Sequence, residues 1–247
     1  MRIVSLAPSC TEILFALGME DSVLGVTKYC DYPPAAELKP KMGGWMDIDF
    51  ERVLALKPDL VLTSTVVQQK VFEQGRALGL NMMHTDPRSL TDIFENILSI
   101  GEAVRCIEQA EQIVLEMGEE ADEIKSKTEH LPRKKVYVEE WPMTVSGNWV
   151  PELLEIAGAV GFAQSGELSR PTTLPEISSF DPDVIIASWC GFGTRVKLEK
   201  ITERPGFSNM RAVREKKVVV LDDTLLNRPG PRILSGAAAI TRILHQI

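Results

Sequence analysis

The sequence predicts an α/β fold of two Rossmann-like lobes with parallel sheets, joined by a single long rigid interlobe helix. Three observations carry this reading. Short β-branched runs alternate with amphipathic stretches, as in a helix-covered parallel sheet. Landmarks of the first half recur in the second. The segment between them is helical in pattern throughout and contains no Pro- or Gly/Ser-rich linker, so it is read as a stiff spacer. The boundaries that follow are residues 1–88 for the N-terminal lobe, 89–130 for the connector and 131–247 for the C-terminal lobe.

Taken in order, residues 2–6 form the first strand. Ser9-Cys10-Thr11-Glu12 then reads as a capping box, with the Ser9 hydroxyl accepting from the helix N-terminus and Glu12 reaching back. Ile13, Leu14 and Leu17 make the apolar stripe of that helix, and Gly18 ends it as an αL cap. Residues 23–26 are the second strand. Leu56-Lys57-Pro58-Asp59 breaks a helix at Pro and feeds the buried strand Leu60-Val61-Leu62. A further strand containing His84 runs into a loop. Ile93, Ile97, Ile100, Val104, Ile107, Ala110, Ile113 and Met117 recur at helical spacing along the connector.

The second lobe repeats the first. After a strand at 135–138, the segment from Pro151 to Gly158 matches that from Thr11 to Gly18 at an offset of 140, and Phe180-Asp181-Pro182-Asp183 matches Leu56-Lys57-Pro58-Asp59 at an offset of 124. The difference of 16 places extra residues in the first copy, within 29–49. Strands at 184–188 and 218–221 and a last helix after Asn227-Arg228-Pro229-Gly230 complete the lobe.

Composition removes several functions. With 35 acidic against 27 basic residues, a formal charge of −8 leaves no basic face for nucleic acid. No apolar run approaches the ~18–20 residues of a spanning helix. Cys10, Cys30, Cys106 and Cys190 are scattered, without the C-x-x-C spacing of a zinc or redox site; they need no disulfides and suit a reducing compartment. The first residues lack the pattern of a secretory leader, which implies a cytoplasmic protein if Met1 is the native start and a periplasmic or cell-surface one if a leader has been removed.

Catalytic motifs are missing too. The three His share no ligand spacing, and neither a G-x-S-x-G elbow nor a phosphate loop occurs. Asp222-Asp223 reads as a turn rather than a cation site. No catalytic residue, metal or resident cofactor is expected.

The aromatic residues are few and placed at strand ends. Trp45 follows Gly43-Gly44, Trp141 follows the strand at 135–138, Trp149 precedes a helix, and Trp189 ends the strand at 184–188. Ligands of open α/β sheets bind beyond the carboxyl ends of the strands. Wide rings there suit a large, flat, partly apolar ligand.

These residues carry a family resemblance. The run from Arg2 to Gly18, Tyr29-Cys30-Asp31-Tyr32-Pro33-Pro34, and Phe50-Glu51-Arg52 through Lys57-Pro58-Asp59 resemble the iron/cobalamin class of substrate-binding proteins of ABC importers. Glu140-Trp141, Gly147-Asn148-Trp149-Val150-Pro151-Glu152 and Cys190-Gly191-Phe192-Gly193 are similar to its cobalamin-binding branch. The resemblance implies a corrinoid ligand between the lobes, small hinge motion, ring-stacking by Tyr29 and Trp45, and docking to an ABC permease through Glu51 and a second-lobe Glu, either Glu176 or Glu199. A third tryptophan of the family corresponds here to about Ser64, with Trp149 or Trp189 as compensation.

The expected binding set is therefore Pro8, Ser9, Tyr29, Asp31, Trp45, Trp141, Trp149, Trp189, Phe192 and Arg228, in a monomer. The alternatives are a siderophore- or haem-binding protein of the same class, or a chelatase-like enzyme of tetrapyrrole metabolism.

Overall fold

A strand in the middle of a parallel sheet is covered on both faces and is apolar along its whole length. Ile3–Ser5 and Leu60–Ser64 in the first half and Val184–Ala187 in the second are buried along their whole length. A computed structural model describes Met1–Gln246 and divides them into two units, Met1–Pro87 with Thr91–Leu115, and Arg88–Leu90 with the residues from Glu116 onward.

In unit 1, β1 (Ile3–Ser5) is fully buried, and α1 (Pro8–Ala16) follows it. The capping box expected at Ser9 does not form. Ala7 is the N-cap with no side-chain bond, Pro8 occupies the first helical turn, and Ser9 is buried inside the helix. Proline's preset φ starts the helix ahead of the serine. Gly18 ends the helix at φ +72, as expected of an αL cap.

β2 (Val23–Val26), α2 (Pro34–Glu37), α3 (Phe50–Ala55), β3 (Leu60–Ser64), α4 (Gln69–Ala77) and β4 (Met82–Thr85) complete a four-stranded parallel sheet of order β2-β1-β3-β4. The extra residues of the first copy form α2 and a loop that pairs Lys41 with Val26 and Gly43 with Ile48.

After β4 the single helix expected at 89–130 is two helices, α5 (Leu90–Val104) and α6 (Ile107–Thr128). The break is at Arg105, whose φ is +62, and the Cys106 N–H closes back on the Gly101 carbonyl at 2.7 Å. A Cβ on Gly101 would lie 2.4 Å from that of Ala110, so the glycine lets the start of α6 pack onto α5. Apolar spacing runs on through Val104 and Ile107, which is why periodicity alone hides the break. α6 carries the chain from unit 1 into unit 2.

Unit 2 contains β5 (Lys134–Trp141), β6 (Thr144–Val145), α7 (Val150–Ile156), β7 (Ala159–Gly161), β8 (Arg170–Pro171), α8 (Leu174–Phe180), β9 (Val184–Ala187), α9 (Glu199–Thr202), α10 (Arg211–Arg214), β10 (Val218–Val220) and α11 (Ile233–Gln246). β5 pairs in parallel with β7 and β9, and β9 with β10. The order β7-β5-β9-β10 thus repeats β2-β1-β3-β4. The sheet is not purely parallel, however. β5 continues past its parallel partner β7 to Trp141, turns through Met143 at φ +57, and pairs antiparallel with β6, which pairs antiparallel with β8.

The repeat extends to hydrogen bonds. Asp59 exchanges two bonds with the backbone of Arg2 entering β1, its carboxylate accepting from Arg2 N and its own N–H donating to Arg2 O, both at 2.7 Å. Asp183 does the same with Lys135 of β5 at 2.7 and 2.8 Å. The residue before each proline, Lys57 or Asp181, has positive φ, at 44° and 46°. Pro-Asp is therefore one device used twice, locking each central strand to the strand beside it.

Candidate functional site

The carboxyl ends of the parallel strands in the two sheets carry most of the expected residues. In unit 1, Pro8 and Ser9 open α1 just beyond β1, with Ser9 buried. The loop after β2 exposes Tyr29, with Lys28 Nζ 5.2 Å from its ring centre, and exposes Asp31 and Tyr32. Trp45 sits half-buried in the next loop, where the Gly43-Gly44 pair is required: Gly43 has φ +109, and a Cβ on either glycine would collide with Asp47. Exposed Met46, Val66 and Val67 add apolar surface to these loops.

The organising residue of this edge is Gln68, which the sequence reading missed. It is fully buried; its Nε2 donates to Leu6 O at 2.7 Å and to Trp45 O at 2.8 Å, and its Oε1 accepts from Ser64 N at 2.9 Å. One amide thus ties the ends of β1 and β3 to the loop bearing Trp45. A glutamine among Val66-Val67-Gln68-Gln69 carries no sequence signal for that role. Thr65, at φ 65 and ψ 154, turns the chain out of β3 in a conformation that non-glycine residues rarely adopt. His84 accepts or donates at Thr63 Oγ1, 3.0 Å from its Nδ1, and burial pushes its pKa below the usual value. It is a strand-end histidine.

In unit 2 three of the expected residues meet. Trp141, Trp189 and Phe192 form a triangle of rings with centroid separations of 6.1, 5.7 and 5.7 Å, in the tilted and edge-on geometries aromatic pairs prefer. Trp141 is 50% and Phe192 37% exposed, whereas Trp189 is 6% exposed beneath them. The Phe192 loop is anchored by Asp223, whose carboxylate accepts from Gly191 N at 2.9 Å and Gly193 N at 2.6 Å. Asp222 accepts from Thr224 N, so the Asp222-Asp223 pair builds a turn and a loop anchor. Among the described residues no cluster of His, Cys, Asp or Glu is arranged to hold a metal ion.

Beside the rings, burial raises the Glu140 carboxyl above its usual value despite bonds from Ser169 and Cys190. Burial, with Glu140 and Asp223 nearby, raises the Cys190 thiol, and burial pushes Cys10 up to about 12. Both thiols stay protonated at neutral pH and are poor nucleophiles.

Trp149 corrects the expected binding set. It is 4% exposed at the start of α7, and its Nε1 donates to Leu226 O at 2.7 Å. Its ring is core, with its polar edge already satisfied. Arg228 lies half-buried in the loop between β10 and α11. Glu51 is exposed in the first turn of α3; Glu176 and Glu199 occupy the first turns of α8 and α9, with Glu176 closing a capping box with Thr173.

The sequence matches the family described as periplasmic binding protein over residues 3–225. It is 30% identical to an ABC transporter substrate-binding lipoprotein of Bacillus subtilis, over 99% of this chain and 80% of that protein. It is 28% identical to the vitamin B12-binding protein of Photorhabdus laumondii, over 99% of this chain and 88% of that one. A periplasmic heme-binding protein from Pseudomonas aeruginosa superimposes with a TM-score of 0.81 at 26% identity, over 97% of this chain and 91% of that one.

Proposed function

The chain belongs to the periplasmic binding protein family, and from that premise we propose that it is a non-catalytic substrate-binding protein of an ABC-type importer whose ligand is a corrinoid. The observation that carries the ligand class is the ring triangle of unit 2. Two large rings are left in water on a third that is buried, a placement that favours a broad, partly apolar ligand face. Tyr29, Trp45 and the apolar residues Met46, Val66 and Val67 give unit 1 a surface of the same character. The similarity to a vitamin B12-binding protein over nearly the whole chain supports the corrinoid within that class.

Docking to the permease is assigned to Glu51 on unit 1 and Glu176 on unit 2. Each stands in the first turn of the helix that leads into the repeated Pro-Asp device, a position Glu199 does not share. Such a protein works outside the cytoplasmic membrane, and no helix among the described residues is long and apolar enough to cross one.

A second reading, haem, rests on Tyr29. An exposed phenol at a ring-bearing edge is a group able to ligate ferric iron, and a heme-binding protein is among the similar structures. Titration with cyanocobalamin, dicyanocobinamide and hemin, followed by tryptophan quenching and co-elution, separates the two. Corrinoid binding without a hemin Soret shift supports the first reading. Hemin binding that loses its iron-phenolate absorption in Tyr29→Phe replaces it with the second, and binding of none of the three overturns both.

A further inference from the structure

The Glu139 carboxylate is fully buried in unit 2 and receives donors from four segments of chain. Its Oε1 accepts from Trp189 Nε1 at 2.9 Å and Arg204 Nη2 at 2.7 Å; its Oε2 accepts from Tyr137 Oη at 3.1 Å, Met143 N at 3.3 Å and Arg204 Nη1 at 2.6 Å. The Arg204 guanidinium in turn lies over the Trp189 ring, 5.8 Å from its centre, and over Phe207 at 5.2 Å. An enclosed ion pair is a weak source of stability, because apolar residues of similar volume often do as well or better. What an apolar filling lacks is direction. The bond to Nε1 fixes the rotation of the Trp189 ring, and the bond to Met143 N holds the turn immediately after Trp141.

We propose that Glu139 and Arg204 are positioning residues for ligand binding: they hold Trp189 and the Trp141 turn in the arrangement that presents the Trp141 and Phe192 rings. Neither touches the ligand. The inference rests on the binding reading above, so its test includes a measurement made without ligand.

Two variants keep the test independent of folding. Glu139→Gln combined with Arg204→Met removes the buried charge altogether and keeps the volume and one acceptor. Trp189→Phe keeps a ring and removes its N–H. Near-UV circular dichroism of the ligand-free Glu139→Gln/Arg204→Met protein, which keeps all four tryptophans, reads the ring arrangement, and equilibrium titration of both variants with cyanocobalamin and hemin reads the affinity. The expected result is a thermal midpoint close to that of the parent protein, an altered tryptophan signature, and roughly tenfold weaker binding, the size of a lost ring-stacking contact. A folded variant with an unchanged near-UV spectrum, or with unchanged affinity, overturns the positioning role. A parent protein that binds neither ligand overturns the functional reading instead, while the near-UV comparison still decides whether the pair aims the rings.

Discussion

The two units share a sheet order and a Pro-Asp lock but hold their strand-end aromatics by opposite means. Unit 1 uses a neutral group: Gln68 spends both ends of its amide on the backbones of Leu6, Trp45 and Ser64. Unit 2 uses a charged one, Glu139 with Arg204, bonded directly to the indole of Trp189. The difference is in what is fixed. The amide fixes the path of a loop and leaves the Trp45 ring to packing; the carboxylate fixes the ring itself. Unit 2 is the more determined platform and the more fragile one, because a buried charge deprived of its partner costs far more than a buried amide deprived of a bond.

The sharpest way to break this comparison is to delete the two anchors. Glu139→Ala strands the Arg204 charge, 16% exposed, and is expected to lower the free energy of unfolding by about 3–5 kcal/mol in a urea titration. Gln68→Ala is expected to cost about 1–3 kcal/mol in the same measurement. Equal losses would remove the distinction between charged and neutral anchors.

Next in size is a separation of binding from stability. Trp141→Ala should weaken ligand binding by about 1–3 kcal/mol with little change in melting temperature, since its ring is half in water. Trp149→Phe should do the reverse, lowering stability by about 1–3 kcal/mol through the orphaned Leu226 carbonyl while leaving affinity near that of the parent protein. Titration calorimetry and thermal melts on the two variants distinguish platform from core.

A smaller effect tests the symmetry of the repeat. Asp59→Ala and Asp183→Ala should each cost about 0.5–1 kcal/mol at neutral pH for the shared backbone bond, and Asp183→Ala also loses the ion pair to Arg211 at 2.7 Å. Burial pushes the Asp183 carboxyl up, but the Lys135 N–H and Arg211 outweigh it and hold the group below its usual value. Its contribution is therefore present above the ordinary aspartate range and is lost as pH falls through the folded value, so Asp183→Ala should converge on the parent protein in acid.

Glu140 has the opposite sign and the smallest expected effect. Its raised pKa means that the ionised form disfavours the fold, so Glu140→Gln should be slightly more stable at neutral pH. That gain should disappear below the ordinary glutamate range, where the carboxyl is protonated folded or unfolded. A gain that persisted in acid would assign the effect to packing.

Much of this was legible in the chain. Alternating β-branched runs, two Pro-Asp landmarks and Gly18 are local signals, and each marks a local event: a buried strand, a helix stop, an αL residue. The placing of Trp141 and Trp189 at neighbouring strand ends followed from the rule that strand ends gather loops, whereas Phe192 entered through the family resemblance. Trp149 defeated the same rule, because whether a helix-start ring faces solvent or core depends on what packs against it. Arg105 ended a helix without Gly or Pro, since the close approach of Gly101 and Ala110 decided it. Ser9 lost its capping role to the neighbouring Pro8.

By itself, then, the sequence determined the α/β class, the repeated halves and the strand ends at which the ring-bearing loops gather, because periodicity and backbone punctuation act over a few residues. Only the tertiary structure decided which rings are exposed and what aims them. Glu139 meets Arg204 across 65 residues and Trp189 across 50, and Gln68 reaches Leu6 across 62. Burial and hydrogen-bond partnership between residues so far apart are set by how the strands and helices pack, and no local pattern encodes them.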